Sequence, residues 1–384
     1  MRMKRKRICF CVTLAGTYKA FLLELSHYLI EKHHYDVTVI CDTDDSMYAL
    51  TGEHLHYIPV RMKRGLSFDG IRAIWALYRI FKRERYDIVQ YSTRNAGTYA
   101  AVAAWMAGIK CRLYCQWGMM FIALKGFKRF LLWLDEKIIT KISTVIESES
   151  VSMYETAIEH GIYKREKASV IWNGSACGVN IAKYEMPKKV AWREEIRQKY
   201  GIEKDACVFG YCGRITRDKG MNELFAAFRT VLETRLAYLM IIGNYDNPET
   251  INPDLFNWAK KCPQVIFTGR TNDVPKYYSA LDVFTSLSYR EGFGLVVIEA
   301  AAMGVPGIVS DALGQRDTIE DQETGLLVRT KNVEDVVKAM ITCIEQPDKV
   351  KEMSVKARKC VVEKYDQQEL FKRLAEHRNQ LVAL

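Results

Sequence analysis

The segment 210–220 places two cations between glycines, a pattern suited to binding phosphate. Arg214 offers a planar fork of donors and Lys219 a compact charge, while Gly213 and Gly220 let the backbone approach a ligand closely. A strand is predicted to end at Gly213 and a helix to begin after Gly220. The segment therefore favours a diphosphate site at a helix N-terminus, with a solvated basic loop as the alternative.

The segment 289–306 contains two glutamates that could bind hydroxyl groups. Glu291 lies in a predicted loop, and Glu299 lies in the predicted helix 295–303, whose other residues are apolar. A carboxylate in such surroundings is costly without partners, and sugar or ribose hydroxyls would be suitable ones. An internal ion pair with Arg or Lys is the alternative. Gly292 and Gly294 leave backbone N–H groups open at the start of this helix, where anionic oxygen is favoured.

Short apolar strands alternate with helices along the chain, and this alternation must position both segments. In the first half, strands are predicted over 8–14, 36–41, 87–91, 112–116, 144–146 and 169–172, with a turn at 15–17 and a helix over 19–32. In the second half, strands are predicted over 207–212, 238–242, 265–268, 283–286 and 307–310, and helices over 221–233, 295–303 and 333–345. This order predicts parallel sheets joined by right-handed crossovers.

The fold class that follows is α/β, with two Rossmann-like domains facing each other across a cleft. A length of 384 residues fits two domains, and ligands bind beyond the carboxyl ends of the strands in open sheets. The boundary is predicted near Pro187, where polar residues interrupt the pattern. It separates a first domain of residues 1–186 from a second domain of residues 187–366.

The second half resembles the nucleotide-binding domain of retaining glycosyltransferases of family 4, which have the two-domain GT-B fold. The resemblance covers about residues 205–345. Its motifs are the paired glutamates 291 and 299, the Gly-Arg and Lys-Gly pairs within 213–220, Phe-Thr-Gly at 267–269 and Thr-Gly-Leu-Leu-Val at 324–328. It implies a nucleotide sugar as donor, and it implies that the final helical segment, 367–384, returns to the first domain.

The same resemblance implies a role for each matching residue. Catalytic roles fall to Glu291, which contacts the sugar hydroxyls, and to Arg214 and Lys219, which stabilise charge on the leaving phosphate. The donor-binding residues are Glu299 at the ribose, Gly269 and Arg270 near the nucleobase, and Gly16, Gly213, Gly292, Phe293, Gly294 and Leu295. We expect no metal and no cofactor, because the two cations supply the positive charge at the phosphate.

The first half resembles the family more loosely. Gly16 stands at the family's first glycine-containing loop, and segments 173–180 and 313–319 resemble those of transferases that build capsules and other surface polysaccharides. That subgroup commonly uses polyprenyl-diphosphate-linked acceptors at the inner membrane face. Many members have a histidine that contacts the donor sugar where this chain has Trp117. Trp117 is therefore a candidate sugar contact, and no catalytic histidine is assigned.

Positive charge is concentrated in the first half of the chain. Residues 1–186 hold 27 Lys and Arg against 18 Asp and Glu, so they carry +9 of the net charge of +10. The cations cluster at 2–7, 61–64, 82–85 and 125–129. Such patches attract phosphate on nucleic acid or on an anionic membrane, and the absence of an RNA-recognition aromatic motif or zinc module argues against nucleic acid.

The segment 117–134 combines bulky apolar side chains with Lys125, Lys128 and Arg129. This composition suits a segment that lies in a lipid headgroup layer, and a core helix with a solvated basic edge is the alternative. No run of 18 apolar residues occurs, so a membrane-spanning helix is not predicted. The eleven cysteines form no CxxC pair, which indicates reduced thiols of a cytosolic protein.

The sequence thus predicts a retaining glycosyltransferase of surface polysaccharide biosynthesis. It would use a nucleotide-diphosphate donor and a saccharide acceptor linked to polyprenyl diphosphate, in the cytoplasm at the inner face of the membrane. The alternatives are a soluble transferase acting on a free sugar or sugar phosphate, a nucleotide-sugar epimerase and a catalytically inactive nucleotide-sugar-binding protein. A dinucleotide oxidoreductase is disfavoured, because no GxGxxG follows Leu14.

Overall fold

The computed structural model describes residues 5–62, 68–244 and 250–383, so the predicted basic clusters at 2–7 and 61–64 lie partly outside the described residues. The chain divides into unit 1, which comprises Met1–Cys177 and Gln368–Leu384, and unit 2, which comprises Gly178–Gln367. The chain therefore enters unit 2 earlier than the predicted boundary after residue 186. The reason is that Val179 and Tyr184 are buried in the apolar core of unit 2.

Unit 1 is a parallel α/β sheet. Its strands are β1 (Lys6–Cys11), β2 (Tyr35–Cys41), β3 (Leu55–Pro59), β4 (Ile88–Tyr91), β5 (Cys111–Gln116), β6 (Val145–Ser148) and β7 (Ala168–Ser169). Its helices before unit 2 are α1 (Ala15–Phe21), α2 (Leu23–His33), α3 (Phe68–Glu84), α4 (Arg94–Ala107), α5 (Gly126–Ile142) and α6 (Val151–Glu159). Within the described residues the strand order is β3-β2-β1-β4-β5-β6-β7. The interior strand β1 is fully buried from Ile8 to Cys11, as expected for a strand covered on both faces.

Three details of unit 1 differ from the sequence predictions. The predicted turn at 15–17 is wrong, because α1 begins at Ala15 and the N–H group of Thr17 already bonds to the Leu14 carbonyl oxygen at 3.1 Å. The predicted helix 19–32 is two helices that meet at Leu22. Strand β3 was not predicted, because this edge strand is buried only at Leu55 and so shows little apolar pattern.

Unit 2 is a second parallel sheet. Its strands are β8 (Cys207–Cys212), β9 (Ala237–Ile242), β10 (Val265–Gly269), β11 (Val283–Ser286), β12 (Gly307–Ser310) and β13 (Gly325–Val328). Its helices are α7 (Lys189–Lys199), α8 (Met221–Leu232), α9 (Pro253–Lys261), α10 (Val274–Ser279), α11 (Leu295–Ala302), α12 (Val333–Glu345) and α13 (Pro347–Lys364). Within the described residues the strand order is β10-β9-β8-β11-β12-β13. Buried apolar clusters pack against the faces of the sheet. The loops that could bind a ligand are therefore those at the ends of its strands.

The final helix, α14 (Gln367–Ala383), belongs almost entirely to unit 1. The two segments that connect unit 2 to unit 1 are hydrogen-bonded to each other. The Val179 N–H donates to the Tyr365 carbonyl at 2.8 Å, and the Gln367 N–H donates to the Val179 carbonyl at 3.0 Å. Further along α14, the buried guanidinium of Arg378 forms a two-pronged ion pair with Glu147 of β6, at 2.5 and 2.6 Å. Burial raises the pKa of Glu147, but Arg378 and His377 outweigh it and lower that pKa to about 2.

Candidate active site

Three glycines follow neighbouring strands of unit 2 and lie side by side at its carboxyl edge. Gly213, Gly243 and Gly269 come at the ends of β8, β9 and β10. The Gly213 N–H donates to the Ile242 carbonyl at 2.9 Å, and the Gly243 N–H donates to the Gly269 carbonyl at 3.1 Å. A Cβ at Gly243 would lie 1.9 Å from the Gly213 carbonyl oxygen, so a side chain is excluded there. The result is a surface of bare backbone, with exposed Arg270 directly after it.

Lys219 is positioned by a short 3₁₀ helix, Arg217–Lys219, between β8 and α8. Gly220 then ends this turn with φ of 75°, and a Cβ at this position would lie 2.2 Å from the Leu287 carbonyl oxygen. Only glycine fits this left-handed conformation at such close approach. The segment after β11 is also attached to this turn, because the Tyr289 N–H donates to the Asp218 carbonyl at 2.9 Å. Lys219 is thereby brought next to the loop that carries Glu291.

The structure joins two of the predicted catalytic residues directly. The Lys219 Nζ lies 2.5 Å from Oε1 of Glu291, and both side chains are about one-fifth exposed. The Ser288 hydroxyl donates to the same Oε1 at 2.8 Å. Both hydrogen bonds therefore use one carboxylate oxygen of Glu291.

Arg214 lies on the exposed surface of the same loop, and no hydrogen bond from its guanidinium reaches another side chain or carbonyl within the described ranges. Its charge nevertheless affects the pKa of Asp218. Burial raises the pKa of Asp218, but the Thr216 hydroxyl and the cations Lys219, Arg214 and Arg290 outweigh burial and lower that pKa. Positive charge therefore dominates the loop, as binding of a diphosphate requires.

The N-terminus of α11 is open. Gly294 occupies the N-cap position with φ of 103°, and no side chain of residues 5–62, 68–244 or 250–383 caps the helix. Leu295 is half-buried in the apolar core and begins the helix. Phe293 is 2% exposed, and its ring contacts Tyr365 with centroids 5.4 Å apart. The Phe293 ring is therefore a packing element, and only the backbone of residues 292–295 is available to an anionic ligand.

Glu299 carries a carboxyl group without a hydrogen-bond donor among the described residues. Burial raises its pKa to about 7, and the charge of Lys183 opposes this rise only in part. The Tyr278 hydroxyl and the Cys212 thiol lie close enough that the Glu299 charge raises the pKa of both groups, after burial as the main cause. The Tyr278 hydroxyl is itself buried and has no hydrogen-bond partner in the described part of the chain. Within the described residues no side chain forms an ion pair with Glu299, although the charge of Lys183 acts on its carboxyl group.

The two predicted site residues of unit 1 lie at the carboxyl edge of its own sheet. Gly16 is an exposed residue in the first turn of α1, directly after β1, and a side chain there would meet no atom within 4 Å. Trp117 follows β5, contacts Phe21 with ring centroids 5.3 Å apart, and borders a small cavity together with Glu149 and Ser175. Both residues therefore occupy the edge at which open α/β sheets bind ligands.

Comparison with protein families decides the identity of the chain. The family model described as glycosyl transferases group 1 matches residues 192–360, and the model described as glycosyltransferase family 4 matches residues 20–175. The chain is a glycosyltransferase whose first half matches the family 4 model and whose second half matches the group 1 model. The predicted enzyme class is confirmed, and so is the predicted α/β fold class with two Rossmann-like domains.

Several known proteins are similar to this transferase over nearly its whole length. It is 27% identical over 375 residues to the capsular polysaccharide biosynthesis glycosyltransferase CapM of Staphylococcus aureus, covering 97% of this chain and 96% of CapM. It is 24% identical over 361 residues to the Escherichia coli UDP-Gal:alpha-D-GlcNAc-diphosphoundecaprenol alpha-1,3-galactosyltransferase, covering 90% and 88%. Its fold matches the crystal structure of Anabaena HepE in complex with UDP, with a TM-score of 0.79, 17% identity and coverage of 98% and 100%.

One supporting residue of the transferase was missed by the sequence analysis. Gln315 is fully buried, accepts a hydrogen bond from the Ser286 hydroxyl at 2.9 Å and donates to the Ser286 carbonyl at 2.7 Å and to the Ser310 hydroxyl at 2.8 Å. The Ser310 hydroxyl donates onward to the Ser288 carbonyl at 2.6 Å. This buried network fixes the loop that carries Glu291. The segment 313–319 signalled it only as a resemblance, since a lone glutamine gives no indication of burial.

Proposed function

We propose that the protein transfers a sugar, with retention of anomeric configuration, from a nucleoside diphosphate donor to a saccharide acceptor on polyprenyl diphosphate. The observation that carries this proposal is the Lys219–Glu291 pair, held beside bare glycine backbone at the carboxyl edge of unit 2. A cation for a diphosphate and a carboxylate for hydroxyls are thereby adjacent. This is the arrangement that a sugar diphosphate ester requires.

In the proposed reaction, the bond between the anomeric carbon and the diphosphate breaks, and negative charge grows on the leaving phosphate. Lys219 and Arg214 stabilise that charge, helped by the open N–H groups at the start of α11. Each preorganised donor of this kind typically contributes on the order of 10²–10³ in rate. The proposal therefore requires no metal and no cofactor.

Glu291 changes partners when donor binds. In the free protein its Oε1 accepts from both Lys219 and Ser288. A diphosphate competes for the Lys219 ammonium, which frees that carboxylate oxygen to accept a sugar hydroxyl. The Ser288 hydroxyl holds the carboxylate in place during this exchange.

Glu299 binds the ribose of the donor. A carboxylate accepts two hydroxyl groups, and Glu299 has no donor of its own among the described residues. Gly269 and Arg270, at the end of β10, then lie on the same edge for the nucleobase. The UDP bound to HepE supports a nucleoside diphosphate as the ligand class.

The acceptor assignment comes from relatives and from charge. The E. coli relative acts on a sugar linked to diphosphoundecaprenol, and CapM serves capsular polysaccharide biosynthesis. The +9 charge of residues 1–186 suits an anionic membrane surface. We therefore place the enzyme in surface polysaccharide biosynthesis, in the cytoplasm and peripheral to the inner face of the membrane. Trp117 would contact the sugar at the edge of unit 1.

A donor panel tests the proposal. Uridine and guanosine diphosphate sugars are offered with extracted polyprenyl-diphosphate-linked saccharides, and release of nucleoside diphosphate is measured. Rapid release that depends on the lipid-linked acceptor, with an anomeric proton of the donor configuration in the product, is the expected result. Equal turnover with free sugars or sugar phosphates would favour the soluble alternative. Tight nucleotide binding without turnover on any acceptor would favour an inactive binding protein.

A further inference from the structure

Helix α5 of unit 1 presents a stripe of large apolar side chains to solvent. We define the α5 face as Phe127, Phe130, Leu131, Leu134 and Ile138. Their exposed fractions are 72%, 52%, 41%, 38% and 44%. The intervals of three and four residues place all five side chains on one side of the helix. Exposed apolar residues are common singly, but a contiguous stripe of this kind marks an interaction surface.

The opposite side of α5 is fixed to unit 1. Glu136, Ile139 and Thr140 are its buried residues. The Trp133 indole N–H donates to the His160 carbonyl at 3.0 Å, and the Thr140 hydroxyl donates to the Ile162 carbonyl at 3.0 Å. The helix is therefore already folded and anchored, and the α5 face is not a core surface. The core-helix alternative for residues 117–134 is wrong for the part of that segment that lies in α5.

The exposed charges at the start of α5 are positive, whereas Asp135, next to Leu134, is three-quarters buried and lies 3.9 Å from the Arg94 guanidinium. Lys125, Lys128 and Arg129 are exposed beside it, and residues 117–134 contain no Asp or Glu. Lys125 and Lys128 form no ion pair within the described part of the chain. Apolar rings flanked by unpaired lysines complement a layer of anionic headgroups over acyl chains. A protein partner of ordinary composition would not require this excess of positive charge beside the apolar side chains.

The apolar residues are concentrated at one end of the helix. α5 follows β5, so its first turns lie at the carboxyl edge of the unit 1 sheet, where Gly16 and Trp117 also lie. Met120, between β5 and α5, adds a further side chain that is 39% exposed. Within the described residues, no helix combines the length and apolar character needed to span a bilayer. The surface is thus suited to lie on a membrane at the acceptor end of unit 1.

We propose that the α5 face inserts into the surface of an anionic bilayer, with Lys125, Lys128 and Arg129 at the phosphate level. The proposal rests on the proposed function in one respect, since a lipid-linked acceptor gives the docking its purpose. It identifies one face of one helix as the contact, rather than the dispersed charge of the first half. The ring series Phe127–Phe130–Trp133, with neighbouring centroids 6.5 and 6.2 Å apart, makes that contact stiff.

Vesicle co-sedimentation of the full chain tests this surface. The test variant is F127S/F130S/L134S, and the matched control is V190S/L236S/V355S, which removes three exposed side chains of unit 2 (67%, 51% and 71%). With phosphatidylglycerol vesicles, we expect the partition coefficient to fall on the order of tenfold for each side chain removed from α5. The control should bind like the wild type. Binding to phosphatidylcholine vesicles should be weak for all three proteins.

A charge variant and an activity readout complete the test. K125E/K128E should bind phosphatidylglycerol vesicles at least about tenfold more weakly, whereas K351E/K359E on α13 should not. Unchanged vesicle binding by F127S/F130S/L134S overturns the inference. So does a change from dimer to monomer with vesicle binding intact, because a second copy would then cover the face. Release of nucleoside diphosphate with a short, water-soluble acceptor should persist in this variant, so the proposed function is judged separately.

Discussion

Glu136 in unit 1 and Glu299 in unit 2 are two glutamates whose pKa burial raises to about 7. Glu136 has internal donors, since its Oε1 accepts from the Gln116 amide at 2.6 Å and from the Tyr114 hydroxyl at 3.0 Å. Glu299 has none among the described residues. The same rise in pKa therefore occurs in Glu136, whose carboxyl accepts hydrogen bonds within unit 1, and in Glu299, whose carboxyl accepts none from the described residues. A raised pKa alone therefore does not distinguish the two groups, and the lack of a hydrogen-bond donor within the described part of the chain is what sets Glu299 apart.

Glu291 is a third case, because its carboxylate is already paired with a cation. Lys219→Ala should give the largest effect, lowering kcat on the order of 10²–10³-fold, since charge on the leaving phosphate loses its main partner. Steady-state release of nucleoside diphosphate measures this. Lys260→Ala on α9, where the ammonium lies over the Phe256 ring, is the matched control. Near-normal turnover of Lys219→Ala would remove the phosphate role.

The contrast between Glu136 and Glu299 is tested by removing each in turn. Glu299→Ala should weaken nucleoside diphosphate binding about 10- to 100-fold, because charged hydrogen bonds to hydroxyls typically contribute ~1.5–3 kcal/mol. Calorimetric titration with UDP and GDP measures this. Glu136→Ala should leave those affinities unchanged and lower the free energy of unfolding instead. The contrast fails if Glu299→Ala unfolds the chain while affinity is retained.

Gln315→Leu tests whether the buried network positions the Glu291 loop. The variant removes the Gln315 partner of both the Ser286 hydroxyl and the Ser286 carbonyl, and a buried polar group left unpaired typically costs ~1–3 kcal/mol of stability. We expect kcat to fall about tenfold while the KM for donor changes little, because the loop is misplaced rather than the nucleotide site. Gln198→Leu, at an exposed position of α7, controls for loss of a glutamine. Loss of stability with unchanged kcat would make Gln315 purely structural.

The pH dependence of binding should separate Glu299 from the rest of the site. Its pKa of about 7 means that the carboxyl is mostly protonated below pH 7 and ionised above it. Ribose hydroxyls favour the carboxylate, so affinity should fall severalfold, to about tenfold, between pH 8 and pH 5.5. Titrations of Glu299→Gln, compared with wild type at both pH values, remove the contribution of the nucleotide's own phosphate. An identical pH profile in the two proteins would contradict the assignment.

The smallest expected effect is that of chelation. If Lys219 and Arg214 supply the positive charge at the diphosphate, EDTA should change turnover by less than about twofold. The same assay with added magnesium or manganese provides the reference. A loss of activity that only a divalent cation restores would show that the two side chains are insufficient.

The sequence predicted unit 2 better than unit 1, and the reason is physical. β8, β11 and β12 have the predicted bounds because strands buried on both faces of a parallel sheet are mainly apolar in sequence. The edge strand β3 and the start of α1 depend on long-range pairing and backbone geometry, which leave little local pattern. The Lys219–Glu291 contact joins residues 72 positions apart, so motif spacing suggested a shared site and the fold supplied the contact. The Gln315 network had no sequence signal, because burial of a polar side chain is a tertiary property.

Unit 2 is an insertion within the sequence of unit 1, and backbone hydrogen bonds between Val179 and the segment Tyr365–Gln367 join its two ends. Unit 2 is continuous in sequence and complete once residue 367 has left the ribosome. Unit 1 must wait for the last 17 residues, Gln368–Leu384, because the Glu147 carboxylate is buried without Arg378 until then. Synthesis of this chain should therefore finish unit 2 first and close unit 1 last, so that a truncation that removes Arg378 spares unit 2 and unfolds unit 1.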